Sequence, residues 1–110
     1  MSSEVSFYIP VFNGEKTINQ CIDSILHQSI KVNDILVIND FSNDHTEEIL
    51  KKYSEIKIIN NEINKGLGYC RNLGVKSSQN KFIASIDADV VLDKFWLEIL
   101  KKVRVFQKII

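Results

Sequence analysis

The chain is short of residues that break or staple a fold. It has one proline, Pro10, and four glycines in 110 residues, with no repeat and no low-complexity segment. No linker divides it, so residues 1–110 read as a single domain. No apolar run approaches the roughly 18 residues of a membrane span. The opening, MSSEVSF, lacks the basic-then-apolar plan of a secretion signal. The only two cysteines, Cys21 and Cys70, have no metal-ligand spacing. Both fall at apolar positions of helical patterns and read as buried reduced thiols. Neither charge is in excess: 14 basic residues balance 14 acidic ones. A nucleic-acid surface wants a basic excess, so no nucleic-acid partner is expected. The late cluster Lys94, Lys101, Lys102, Arg104 and Lys108 reads as a solvated helix face. These features together point to the cytoplasm.

What remains is an ordinary globular composition, 45% hydrophobic and 25% charged. Strand and helix patterns alternate along it. Val5–Val11, Asp34–Ile38, Ile56–Ile59 and Phe82–Ile86 read as strands rich in β-branched and aromatic residues. Between and after them, Lys16–Gln28, Thr46–Tyr53, Gly68–Lys76 and Phe95–Val103 read as helices. The last is expected to turn Trp96, Ile99, Leu100 and Val103 inward, and Gly74 is a weak spot inside the third. Strands apolar on both faces and separated by helices imply an α/β fold: a three-layer sandwich around a mainly parallel sheet.

Ligands of such sheets bind beyond the carboxyl ends of the strands. Each polar cluster falls at such an end. Pro10 to Glu15 follows the first strand, Asn39 to Asp44 the second, Asn60 to Gly68 the third, and Asp87-Ala88-Asp89 the fourth. If the first, second and fourth strands are close, Asp40, Asp87 and Asp89 share one crevice. Carboxylates gathered there need a cation, and Mg²⁺ or Mn²⁺ held by one or two of them with phosphate oxygens and waters satisfies the need. Arg71 is placed to fork onto a phosphate or an aspartate. Plainer readings stand beside these. Asp87 and Asp89 also suit a turn and cap, Asp40 an Asx turn, and Arg71 a solvated helix face. Asp44, three residues before Glu47, reads as a helix cap. His27 and His45 read as surface or capping residues. Gly66 and Gly68 read as hinges of a flexible connector.

Three ordered motifs carry a resemblance: SFYIPVFN, IKVNDILVINDFSNDHT and NKGLGYCRNLGVKSSQNKFIASIDADV. From Val5 to about Leu100 the chain resembles the donor-binding half of inverting family 2 glycosyltransferases. The resemblance implies a GT-A (Rossmann-like) nucleotide-diphospho-sugar transferase fold. It implies that Pro10, Val11 and Asn13 cradle base and ribose, that Asp40 binds the base, and that Arg71 helps hold the nucleotide. Asp87 lies near the ribose and the metal, and Asp89 is the direct ligand of Mg²⁺ or Mn²⁺. The implied partners are a nucleotide-diphospho-sugar donor and a glycan or lipid-linked acceptor, the latter consistent with docking at the inner face of the membrane. Two departures stand out. Asn39-Asp40 replaces the usual acidic pair, and Val90 follows the D-x-D in place of a further acid. Family domains run on for another hundred residues or more, so the chain is expected to be truncated, with the acceptor half and the general base missing. The catalytic base is therefore unassigned. The alternative is an inactive remnant, or half of a split enzyme whose partner chain supplies the rest. A phosphoacceptor receiver, the third class of this size, would need acids at the end of the first strand, where Pro10 to Asn13 stand.

Overall fold

The computed structural model describes residues 4–109, with side chains to residue 103. Arg104 and Lys108 of the basic cluster therefore have side chains outside the described residues, as do the first three residues of the opening. The elements run β1 (Val5–Val11), α1 (Ile18–Leu26), β2 (Ile35–Asn39), α2 (Thr46–Leu50), β3 (Lys57–Asn60), α3 (Leu67–Ser77), β4 (Phe82–Ser85) and α4 (Trp96–Ile109). The sheet order is β3-β2-β1-β4, and every pairing is parallel. Every residue of the two inner strands is buried, whereas the edge strands β3 and β4 are partly exposed. This is why VSFYIPV and ILVIN are apolar throughout except for the buried Ser6 and Asn39.

Alternate β1 residues face opposite layers. Val5, Phe7, Ile9 and Val11 pack with Ile18, Cys21, Ile22 and Ile25 of α1, Leu50 of α2 and Leu97 of α4. Tyr8 packs on the other face with Leu36, Ile38, Cys70 and Leu73, under α3. The result is the expected three-layer sandwich. Gly74 is no weak spot: a Cβ there would lie 2.3 Å from the Tyr8 ring, so its missing side chain lets α3 sit on the sheet.

Two expectations need correction. The helix expected over Thr46–Tyr53 ends at Leu50, and Tyr53 instead packs half-buried with its hydroxyl donating to Asp23 Oδ1 at 2.8 Å. In α4 the fully buried residue is Leu97, with Trp96 edge-to-face on Phe7 at 5.9 Å. Ile99, Leu100 and Val103 are exposed. Two of them, Leu100 and Val103, turn to the open side of β4. Leu100 and Val103 line a groove of about 280 Å³ there with Phe82, Ile83 and Ala84. The start of α4 is fixed by buried Gln28, whose Nε2 donates to Asp93 O at 2.7 Å and whose Oε1 accepts from Leu97 N at 2.9 Å.

At the amino ends of the strands sits a buried polar lock that periodicity does not reveal. Ser6 Oγ donates to Asp34 Oδ2, Gln79 N donates to the same oxygen at 3.0 Å, and Lys57 Nζ lies 2.5 Å from Asp34 Oδ1. Burial alone would raise the Asp34 carboxyl, but Lys57, Ser6 and the Gln79 amide outweigh it and hold it below the usual carboxylate range. The lysine acts on Asp34 through this close polar contact as well as through its charge.

Candidate functional site

The chain connects β1 to β2 to β3 in one direction, then returns to place β4 on the other side of β1. That reversal makes the β1/β4 boundary a topological switch point, where a crevice opens beyond the carboxyl ends. Pro10 shapes it. Odd-numbered β1 residues bond towards β2, as Phe7 N does to Asp34 O, and even-numbered ones towards β4, as Tyr8 O does by accepting from Ile86 N at 3.0 Å. Pro10 is the next residue on the β4 side and has no N–H to give. The β1–β4 ladder stops there, and residues after Ile86 leave the sheet.

They leave as a tight turn, with Val90 N donating to Asp87 O at 3.0 Å. Ile86 is buried, and Ala88 and Val90 pack half-buried against the core. Asp87 and Asp89 alternate with them and project outward, both exposed. Val90, where the resemblance leads one to expect another acid, is thus an anchor of the turn. Beneath it, the buried Cys21 thiol donates to Asp87 O at 3.5 Å. Burial pushes this thiol up to about 12, and the charges of Asp89 and Asp87 add to the effect. It therefore stays protonated at neutral pH, a donor and not a nucleophile. Gly14 closes against the same turn, its absent Cβ 3.8 Å from Ala88 Cβ and only 2.5 Å from Val11 Cγ2.

The first and second loops are zipped together. Asn13, at φ 53°, donates from its amide to Ser42 Oγ and accepts from Asn43 N through Oδ1, each at 2.9 Å. Gly14 N donates to Thr46 Oγ1 at 2.9 Å, and Glu15 N to Asp44 Oδ2 at 3.2 Å. Asp44 also accepts from Thr46 N, so it does cap the start of α2, although His45 occupies the N-cap position. His45 Nδ1 lies 2.8 Å from Glu15 Oε2. That hydrogen bond, then the charges of Glu48 and Glu15, raises the imidazole above its ordinary value.

Asp40 performs the second zipping. It is buried, and its carboxylate accepts from Lys65 N at 2.7 Å and from Gly66 N and Asn61 Nδ2 at 2.9 Å each. Burial would raise it, but these N–H groups outweigh burial and hold it below the usual range. Asp40 thus fixes the third loop and the entry of α3, where Gly66 stands at φ 89°. Gly68, also expected as a hinge, lies within α3. Asn39 and Asn60 bond side chain to side chain at 2.9 Å across β2 and β3. Arg71 is exposed early in α3. The stretch around Gly66 and Gly68 reads as a flexible connector in sequence, yet Asn64, Lys65 and Gly66 are all bonded to Asp40.

The three aspartates do not gather as one cage. Among the described residues no three His, Cys, Asp or Glu side chains form a metal-holding group. Two exposed carboxylates on one turn do fit Mg²⁺ or Mn²⁺, which take one or two carboxylates and complete their shell with phosphate and water. A larger cavity, about 660 Å³, lies by the C-terminal end of α1 among Asp23, His27, Lys31 and Tyr53, away from the strands' carboxyl ends.

This parallel three-layer fold is that of the GT-A glycosyltransferases. The chain belongs to glycosyltransferase family 2, whose description, Glycosyl transferase family 2, matches residues 6–103. It is 33% identical over 106 residues to the glycosyltransferase GlyA of Streptococcus pneumoniae serotype 4, covering 93% of this chain and 15% of that one. It is 37% identical over 87 residues to the Escherichia coli UDP-Glc:alpha-D-GlcNAc-diphosphoundecaprenol beta-1,3-glucosyltransferase WfgD, covering 77% of this chain and 34% of that one. Among solved structures, S. aureus TarS in complex with UDP superposes with a TM-score of 0.83 at 27% identity, over 91% of this chain and 31% of TarS. The chain therefore spans 15–34% of these relatives' length.

Proposed function

We propose that the chain forms the donor-binding part of an inverting, metal-assisted glycosyltransferase that passes a sugar from a nucleotide-diphospho-sugar to a glycan or lipid-linked hydroxyl. The observation that carries this is the Asp87–Val90 turn, which projects two carboxylates at the switch point while Ile86, Ala88 and Val90 anchor it. In this reading Asp89 and Asp87 hold Mg²⁺ or Mn²⁺, whose chemistry would be to neutralise the departing diphosphate. Pro10, Val11 and Asn13 line the base and ribose, Asp40 supports the base contact, and Arg71 reaches towards phosphate. TarS was solved with UDP, and the name of the E. coli relative specifies a lipid-diphosphate acceptor, which supports the substrate class. A cytoplasmic placement with access to lipid-linked acceptors follows from the same reading. No residue is assigned as general base. Metal-dependent binding of a nucleoside diphosphate, abolished by Asp89→Ala, tests the proposal.

The exposed Leu100 and Val103 beside Ile83 favour a second reading, an interaction module. Apolar surface beside an edge strand invites further polypeptide, and a partner chain supplying the rest of a transferase domain would cover it. Light scattering discriminates: self-association or capture of such a partner supports the module, and a monomer that stays soluble alone at high concentration argues against it.

A further inference from the structure

Residues 86–95 join β4 to α4 without belonging to either, and they carry Asp87 and Asp89. Within this stretch, Val90 N donates to Asp87 O at 3.0 Å and Phe95 N to Asp93 Oδ1 at 2.9 Å. Beyond Ile86, its long-range hydrogen bonds among the described residues come from α1 and the residues just after it. Cys21, Ser24 and Gln28 stand three and four positions apart, on one face of α1 continued past its end. Cys21 Sγ donates to Asp87 O at 3.5 Å. Ser24 Oγ accepts from Leu92 N at 3.0 Å while donating to Cys21 O, in its own helix, at 2.7 Å. Gln28 is buried and uses both sides of its amide. Its Nε2 donates to Asp93 O at 2.7 Å and to Ser24 O at 3.0 Å, and its Oε1 accepts from Leu97 N at 2.9 Å. Ser29 N adds a bond to Lys94 O at 2.9 Å.

Ala88, Val90 and Leu92 also hold the stretch against the core, but apolar packing has no direction. Hydrogen bonds do, and they weaken steeply when misaligned. The distinction matters for this turn. A small divalent cation demands near-ideal geometry and takes only one or two carboxylates, so their direction decides how well it is held. Ser24 and Gln28 supply direction while placing no charge beside Asp87 and Asp89.

We propose that Ser24 and Gln28 are positioning residues for a divalent-cation site at Asp87 and Asp89. They hold the backbone at Leu92 and Asp93 against α1, and through it the direction in which the two carboxylates leave the turn. The inference rests on the donor-site reading and adds to it two residues outside all three motifs that carry the resemblance.

The test compares the unaltered chain with Ser24→Ala, Ser24→Thr and Gln28→Met. Mn²⁺ affinity is measured from the paramagnetic resonance of the free ion, in the presence of UDP, GDP or CDP, and amide hydrogen exchange is followed along the chain. Ser24→Ala leaves Leu92 N without its acceptor, and Gln28→Met keeps the side-chain length while removing the bonds to Asp93 O and Leu97 N. Each is expected to weaken Mn²⁺ about threefold or more, the scale of one lost hydrogen bond. Exchange at Leu92 should quicken in Ser24→Ala while the amides of β2 keep their rates. Ser24→Thr retains the oxygen, and the open groove beside Val91 and Leu92 has room for its methyl group, so it should match the unaltered chain. Unchanged Mn²⁺ affinity in Ser24→Ala would overturn the inference while leaving the donor site standing. A loss that Ser24→Thr shares, or exchange that quickens in β2 as much as at Leu92, would also overturn it, since general stability would then be at fault. The Ser24 pair decides even if Gln28→Met does not fold. Failure of the unaltered folded chain to bind Mn²⁺ with any of the three nucleotides would instead sink the donor-site reading, and this inference with it.

Discussion

At the residue scale, most polar side chains around the strand ends act on the protein itself. Asp40, Asp44, Asn13 and Asn39 hold loops to loops, and Asp87 and Asp89 are left facing solvent. The His45–Glu15 contact is the most exposed member of this network. Its folded pKa is raised, so the stabilisation it gives is fully present below the ordinary imidazole value and is lost as pH rises through the folded value. NMR titration should therefore place the His45 midpoint above about 6.5 and Glu15→Gln should lower it. A midpoint at or below the ordinary value would mean that the two loops are not joined by this pair. Much of this scale was hidden in the sequence. D-x-D after a run of β-formers marks an acidic strand tip, because the pattern is local. That Cys21 lies beneath Asp87, 66 positions away, or that Lys65 and Gly66 amides occupy Asp40, depends on chain crossings that no local pattern encodes.

At the element scale, helix and strand positions followed from periodicity, and the errors came where tertiary context overrode it. In α4 the residues at 96, 99, 100 and 103 form a proper apolar stripe, yet the helix meets the core mainly through Leu97 and Trp96. Spacing identifies an apolar face but not which element covers it. Gly74 shows the converse: propensity alone marks it as a defect, whereas α3 needs it for close approach to Tyr8. Two effects compete in Gly74→Ala. Alanine gains about 1 kcal/mol of helix propensity. Forcing a methyl group into the packed Tyr8 contact costs about 1–3 kcal/mol. The ring carbons are 2.3–2.7 Å from the added atom and belong to a buried side chain, so the clash wins. Chemical denaturation should show a lower midpoint with an unchanged slope. A stabilised variant would mean that α3 lifts from the sheet without cost.

At the scale of the molecule, the parallel sheet, its order and its helices position one polar rim. Pro10 ends the β1–β4 ladder, the chain turns out through Asp87 and Asp89, and two sets of loop-to-loop bonds pre-organise the neighbouring strand ends. The fold class was readable because buried inner strands and amphipathic helices alternate in order. The coupling of the rim was not, since it joins residues 21 to 66 positions apart. The open flank of β4 and the exposed α4 residues accord with a chain that spans 15–34% of its relatives. On the proposed reading, the function of this rim is donor binding. Calorimetric titration of UDP, GDP and CDP, each with and without Mn²⁺, against the chain and its Asp89→Ala variant tests it most directly. The account predicts binding of at least one nucleotide that requires the metal and disappears in the variant. Binding that ignores both metal and Asp89, or no binding to a folded chain, would contradict it.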